Sequence, residues 1–145
     1  MSLAISALEY ISNIKNGSVT AEEFIAKTLD QISRHDGKIH ALLSINEKAL
    51  DQARAVDKKI KAKEKVGALY GMPISIKDNI SVKNWKTTCA SRMLEEYVSP
   101  YDATVVSKLK SQDAILIGKA NLDEFAMGAS TEFSAFGPSK NPWNP

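Results

Sequence analysis

The chain has 145 residues, of which 43% are apolar and 25% charged, and a net charge of +2 from 19 Lys and Arg against 17 Asp and Glu. This is the size and usage of a single globular domain, and it excludes a wholly disordered or fibrous chain. The charge is too balanced for a surface that coats nucleic acid. Cys89 is the only cysteine, so no internal disulfide can form and a reducing, cytoplasmic setting is expected.

Glu9, Asn13 and Lys15 interrupt the apolar positions of the N-terminal stretch, so it does not read as a signal peptide. No run approaches the roughly 20 apolar residues of a spanning helix, and no membrane partner is expected.

To about Lys65 the periodicity predicts three helices. Ala4, Ala7, Leu8, Ile11 and Ile14 recur at helical spacing, and Asn16-Gly17 supplies a stop. Thr20 with Glu23 spells a capping box, and Val19 and Phe24 stand where a hydrophobic staple forms. Phe24, Ile25, Leu29 and Ile32 continue that helix toward an end near His35. The third helix is expected from near Asn46, with Ala49, Leu50, Ala53, Val56 and Ile60 on one face. It fades into Lys58, Lys59, Lys61, Lys63 and Lys65, which read as a solvated helix end, with an RNA-contacting patch as the alternative.

After Gly67 short apolar runs alternate with turn residues, so the fold class is α/β. Pro73 to Lys77 is a predicted strand with proline at its start, Asp102 a candidate cap for a helix carrying Val105, Val106 and Leu109, and Ala114 to Ile117 a buried strand. Strand, helix, strand in that order predicts a parallel pair with a right-handed crossover. Ser130 to Pro145 is rich in Ser, Gly, Pro and Asn and reads as a loop. So few strands leave unpaired edges, for which a continuation of the chain or a partner is expected. The organisation is thus a helical leader, residues 1–65, followed by the start of an α/β core, residues 66–145.

Hydrolytic chemistry needs a nucleophile, a base in hydrogen-bond reach and donors for an oxyanion. His35 and His40 fall at a helix end and beyond a turn, lack metal-ligand spacing and read as surface residues. There is no phosphate-binding or dinucleotide-binding glycine pattern. Lys77 ends a predicted strand, precedes Asp78 and Asn79, and shares its face with Ser75. Buried in a dry polar site, such a lysine loses its charge and takes a proton from a hydroxyl near neutral pH; on position alone an exposed structural lysine is the competing reading.

The wider wording decides between them. Gly71-Met72-Pro73-Ile74-Ser75-Ile76-Lys77-Asp78-Asn79 is followed by Thr87-Thr88-Cys89-Ala90-Ser91, then Pro100-Tyr101-Asp102-Ala103-Thr104-Val105-Val106. Next come Gly118-Lys119-Ala120-Asn121-Leu122-Asp123-Glu124-Phe125-Ala126-Met127-Gly128 and Ser130-Thr131-Glu132 leading to Asn141-Pro142. These five blocks, in this order, resemble the amidase-signature family. With the three-helix leader they look most like its branch of glutaminase subunits from tRNA-dependent amidotransferases. Departures from the family pattern are Asn84 where Gly is common, Gln112-Asp113 for Ala-Gly, Ala129 for Gly or Ser, and Phe133 for Asn.

The resemblance implies the first part of a mixed, mostly parallel sheet with flanking helices, and Lys77 as the catalytic lysine of a Ser-cisSer-Lys triad. Both triad serines belong to family blocks that have no match here; Ser75, Ser81, Ser91 and Ser130 match neither, and read as turn, cap or sheet-face polarity. Met127, Gly128 and Ser130 resemble the stretch lining the substrate pocket, while Cys89 reads as core packing. For the branch, the substrate is glutamine and the partners are subunits B and C, with aminoacyl-tRNA reached through the complex. ATP and Mg would belong to B, and no cofactor is expected in this chain. A free-standing small-amide amidase and a non-catalytic interaction module are the alternatives.

Overall fold

The computed structural model describes residues 4–145, so the first three positions of the expected leader lie outside the described residues. Helix α1 (Ala7–Lys15) is capped by Ser6, whose Oγ accepts the Glu9 amide at 3.1 Å, and closes at Asn16, before Gly17 at φ +75°. Tyr10 and Ile14 carry its buried side, whereas Leu8, expected in the core stripe, is 81% exposed. The stripe is rotated because Tyr10 is its largest inward residue, packing edge-on against Phe24 and donating its hydroxyl to the Tyr70 carbonyl.

Helix α2 (Ala21–Ile39) begins with the expected capping box between Thr20 and Glu23. Its Ala21 and Glu22 amides are also taken by the buried Asp57 carboxylate, each at 2.9 Å, which places negative charge at the positive pole of the helix. The helix passes the expected end near His35 and stops at His40, in the left-handed conformation at φ 58°. Asp36 sets that exit, since its carboxylate accepts the Ala41 and Leu42 amides.

The turn leads into a strand that the periodicity did not show, β1 (Leu42–Ile45). Helix α3 (Ala49–Lys61) then starts later than Asn46, because Asn46 continues the sheet, its amide donating to the Ile117 carbonyl, and its side chain accepts the Lys48 amide. Lys58, Lys61, Lys63 and Lys65 are exposed, while the less exposed Lys59 pairs with Asp113 at 2.8 Å.

Strand β2 (Pro73–Lys77) has the expected bounds. Helix α4 (Thr104–Ser111) is not capped by Asp102, whose carboxylate instead accepts the Lys83 amide and the Lys110 ammonium; Ala103 stands at the cap. Val106 is its buried residue and Val105 is exposed. Strand β3 (Ile115–Ala120) runs three residues past the expected Ile117.

The sheet is mixed, in the order β1-β3-β2, with β3 parallel to β2 and antiparallel to β1. The core lies on both faces. One cluster joins α1, α2 and α3 to Ile115 and Ile117, and so draws on residues either side of Lys65; the other joins Ile76, Val82, Val106 and Leu116.

One irregularity positions the site. Ile74 pairs with Leu116 but Ser75 pairs with Gly118, so Ile117 is an extra residue in β3. Strict alternation would put Lys119 on the face of Ile115 and Ile117; the bulge turns it to stand beside Ile76 on the other face. Gly118 takes the crowded position, where a Cβ would lie 3.0 Å from Leu42 Cδ1 and 3.1 Å from the Ser44 carbonyl oxygen.

Candidate active site

Lys77 is the last residue of β2 and pairs with Ala120. It is exposed together with Ser75, while Ile76 between them is buried, so the two polar residues share a face as alternation requires. This is the exposed setting that its position alone favours. β2 is an edge strand, and the leader helices gather around Ile115 and Ile117 of β3 without covering the Lys77 amine.

The backbone under this amine is fixed. The Lys77 carbonyl accepts the Ile80 amide at 2.9 Å, the Asp78 amide donates to the Ala120 carbonyl at 3.0 Å, and the Asp78 carbonyl accepts the Cys89 amide at 3.1 Å. The Asp78 side chain turns inward and is met by Lys119. These two charged residues are 1% and 0% exposed, with Nζ to Oδ1 at 2.9 Å. The other Asp78 oxygen accepts the Thr88 amide at 2.9 Å and the Thr88 hydroxyl. Lys119 also donates to the Lys86 carbonyl and to Thr87 Oγ1, both at 3.1 Å, so all three ammonium hydrogens are used. Burial at this depth is tolerable only because every ammonium proton and both carboxylate oxygens have a partner.

The neighbouring Cys89 and Ala90 both adopt φ 52°, a conformation that costs a non-glycine residue about 1 kcal/mol or more. Their carbonyls are used: Cys89 accepts the Phe125 amide at 2.9 Å and Ala90 the Ala135 amide at 3.0 Å. Cys89 is half-buried, and burial first, then the Asp78 charge, push its thiol above the usual range. It is therefore a poor nucleophile at neutral pH.

Met127, Gly128 and Ser130 lie in a loop wrapped around Asp123. Its carboxylate accepts the amides of Ser130 at 3.1 Å, Thr131 at 2.9 Å and Phe133 at 3.0 Å. The Phe133 amide leads in holding the Asp123 carboxyl below the usual range, with the Thr131 and Ser130 amides adding to it. These donors are committed to the protein's own carboxylate and are not free to hold an oxyanion. Met127 is 79% exposed, and the Ser130 hydroxyl donates to Glu132. No hydrogen bond joins Lys77 to this loop; the connection is through Asp78, Cys89 and Phe125.

The remaining candidates stand apart. Ser91 is buried and its Oγ accepts the Met93 amide, and the Ser81 carbonyl accepts the Ala103 amide. His35 is exposed, whereas His40, expected at the surface, is half-buried because its carbonyl takes the Asn121 side chain and the Ser139 hydroxyl. Among the described residues no group of three or more His, Cys, Asp or Glu is placed to hold a metal ion, and no helix is long and apolar enough to cross a membrane.

Reading the sequence for chemistry missed Lys119, Asp78 and Asp123. A signal for the first existed: a lysine directly after Ile115-Leu116-Ile117-Gly118 extends a strand buried on both faces, where a charge requires an opposite charge. The bulge that aims it has no such mark.

Helices packed on a mixed sheet, with a lysine at the open end of its edge strand, are the layout of an amidase-type α/β fold. The chain belongs to the amidase family, whose profile, described as Amidase, matches residues 23–145. It is 54% identical over 139 residues to the A subunit of glutamyl-tRNA(Gln) amidotransferase of Cenarchaeum symbiosum (strain A), covering 96% of this chain and 29% of that protein. The crystal structure of the A subunit of glutamyl-tRNA(Gln) amidotransferase from Thermotoga maritima is 38% identical with a TM-score of 0.77, over 98% of this chain and 28% of that one. A bacterial aryl acylamidase of the amidase-signature family is 27% identical with a TM-score of 0.88, over 97% of this chain and 30% of that one. The chain thus spans under a third of the length of these relatives.

Proposed function

We propose that this chain supplies the lysine-bearing part of a glutaminase that feeds ammonia to a tRNA-dependent amidotransferase. The 54% identity to the Cenarchaeum symbiosum amidotransferase protein, over 96% of the chain, carries this reading. Backbone similarity points the other way, since the aryl acylamidase superposes with the higher TM-score. Identity is the better guide to the branch, because the backbone layout is shared across amidases of different substrate, whereas side chains set the substrate.

In the proposed reaction the Lys77 amine takes a proton from a bridging serine, which takes one from a nucleophilic serine. The nucleophile forms a C–O bond to the glutamine side-chain carbonyl, the C–N bond breaks, and the proton passes to departing ammonia. Water then releases glutamate and restores the serine. Both serines are supplied by residues outside these 145, and this chain alone is inactive and binds no cofactor. Ammonia passes to a B subunit that uses ATP and Mg on aminoacyl-tRNA, and a C subunit completes the cytoplasmic complex.

The test is a chimaera in which this chain replaces the matching portion of the Cenarchaeum symbiosum relative. Ammonia release from glutamine is expected, with loss on Lys77→Ala and none from the 145-residue chain alone. Activity surviving Lys77→Ala, or glutaminase activity of the isolated chain, overturns the proposal. Hydrolysis of aryl or peptide amides without glutamine favours the second reading, a free-standing amidase, for which the aryl acylamidase superposition speaks.

A further inference from the structure

The Lys119–Asp78 pair is more than core filling. A buried ion pair seldom stabilises a fold beyond an apolar pair of similar volume, because desolvating both charges offsets their attraction. What this pair supplies is direction, and the elements that it connects are the ones on which the proposed chemistry depends. Asp78 directly follows Lys77, and its backbone carbonyl holds Cys89 while its side chain holds Thr88. Cys89 in turn holds Phe125 at the head of the Met127 to Ser130 loop. Lys119 closes the arrangement from β3, grasping Asp78 and the Lys86 and Thr87 end of the same turn. The Ile117 bulge exists at the point where it turns Lys119 into this position.

We infer that Lys119 and Asp78 are positioning residues, which fix the strand end carrying Lys77 relative to the Met127–Ser130 loop through the left-handed Cys89-Ala90 turn. The inference deepens the proposed function and rests on it for its catalytic consequence. Its structural half is independent. Two apolar side chains would fill the space but could not hold the Thr88 amide and hydroxyl, nor the Lys86 carbonyl and Thr87 hydroxyl, in one arrangement. The turn would then relax toward less strained conformations.

The decisive variant is the double substitution Asp78→Leu with Lys119→Met, which leaves neither charge unpaired. In the 145-residue chain, amide exchange at Ile25 is expected to stay near wild type, while exchange at Cys89 and Phe125 accelerates about tenfold or more. In the chimaera the same pair of changes is expected to lower kcat for glutamine by on the order of a hundredfold, the scale of an ångström-level misplacement. Unchanged exchange at Cys89 and Phe125, or full recovery of kcat together with stability, overturns the inference. Should the chimaera prove inactive before any substitution, the function reading fails on its own and the exchange measurement still decides the role of the pair. If Ile25 exchange rises with the others, the pair supports the whole fold and is not a positioning device.

Discussion

Gly128 lies against the Asp123 carboxylate so closely that a Cβ at position 128 would stand 2.4 Å from Asp123 Cγ and 2.6 Å from Oδ2. The loop can wrap its amides onto that carboxylate only because residue 128 has no side chain. Gly128→Ala must therefore either push Asp123 aside, breaking its bonds to Ser130, Thr131 and Phe133, or lift the loop. Overpacking of this kind costs about 1–3 kcal/mol. Urea unfolding should show a lower midpoint, and the amides of Ser130 and Thr131 should lose protection.

The same carboxylate makes the loop sensitive to acid. The Phe133 amide first, then those of Thr131 and Ser130, hold the folded pKa of Asp123 below its ordinary value near about 3.9. A depressed folded pKa means that the stabilisation is complete above the unfolded value and is lost as pH falls through the folded one. Chemical shifts of the three amides should move together as pH falls below the ordinary carboxylate range, with the remaining fold intact at the onset. In Asp123→Asn one donor must face the side-chain NH2, so the loop loosens at every pH and the acid step disappears. An acid step persisting in that variant would assign the titration to another group.

Cys89 reports on the Asp78 network without perturbing it. Burial and the adjacent carboxylate disfavour its thiolate, so alkylation by iodoacetamide at neutral pH should be slower than that of an unstructured thiol. Addition of denaturant should raise the rate to the unstructured value. A native rate matching the denatured one would show that the turn at Cys89 opens freely and does not hold Phe125.

Much of this arrangement was legible because local chemistry and tertiary demand agree. Thr20 with Glu23, Pro73 at a strand start, and the strand-helix-strand order all name their structure directly. β1 was not legible: Leu42 to Ile45 is four residues between two helices, its alternation is interrupted where Leu42 and Ser44 take successive partners, and its pairing partner β3 is some seventy residues away. The departures at Asn84 and Gln112-Asp113 become clear only in three dimensions. Asn84 and Asp113 both have positive φ, at 61° and 56°, where the family commonly has glycine. Asp113 compensates by accepting the Gly67 amide at 2.7 Å and the Lys59 ammonium. Nothing in the structure explains Phe133, whose ring is exposed.

The two lysines at the heart of the site should separate cleanly by experiment. Lys77 is exposed and, among the described residues, its amine has no hydrogen-bond or ion-pair partner, so Lys77→Ala should change stability by no more than about 0.5 kcal/mol. Lys119 is wholly buried, and Lys119→Met leaves the Asp78 carboxylate desolvated without its cation, a loss of about 3–5 kcal/mol. Asp78→Leu added to Lys119→Met removes the stranded charge and should return part of that stability, the Thr88 amide and Lys86 carbonyl being left without these partners. Thermal melts of the three variants and the wild-type chain measure all of these at once. Equal destabilisation by Lys77→Ala and Lys119→Met would mean that the Lys77 side chain supports the fold, and its loss of activity in the chimaera would then say nothing about catalysis. A silent Lys77→Ala beside a damaging Lys119→Met leaves Lys77 available for chemistry and places the structural burden on the lysine behind it.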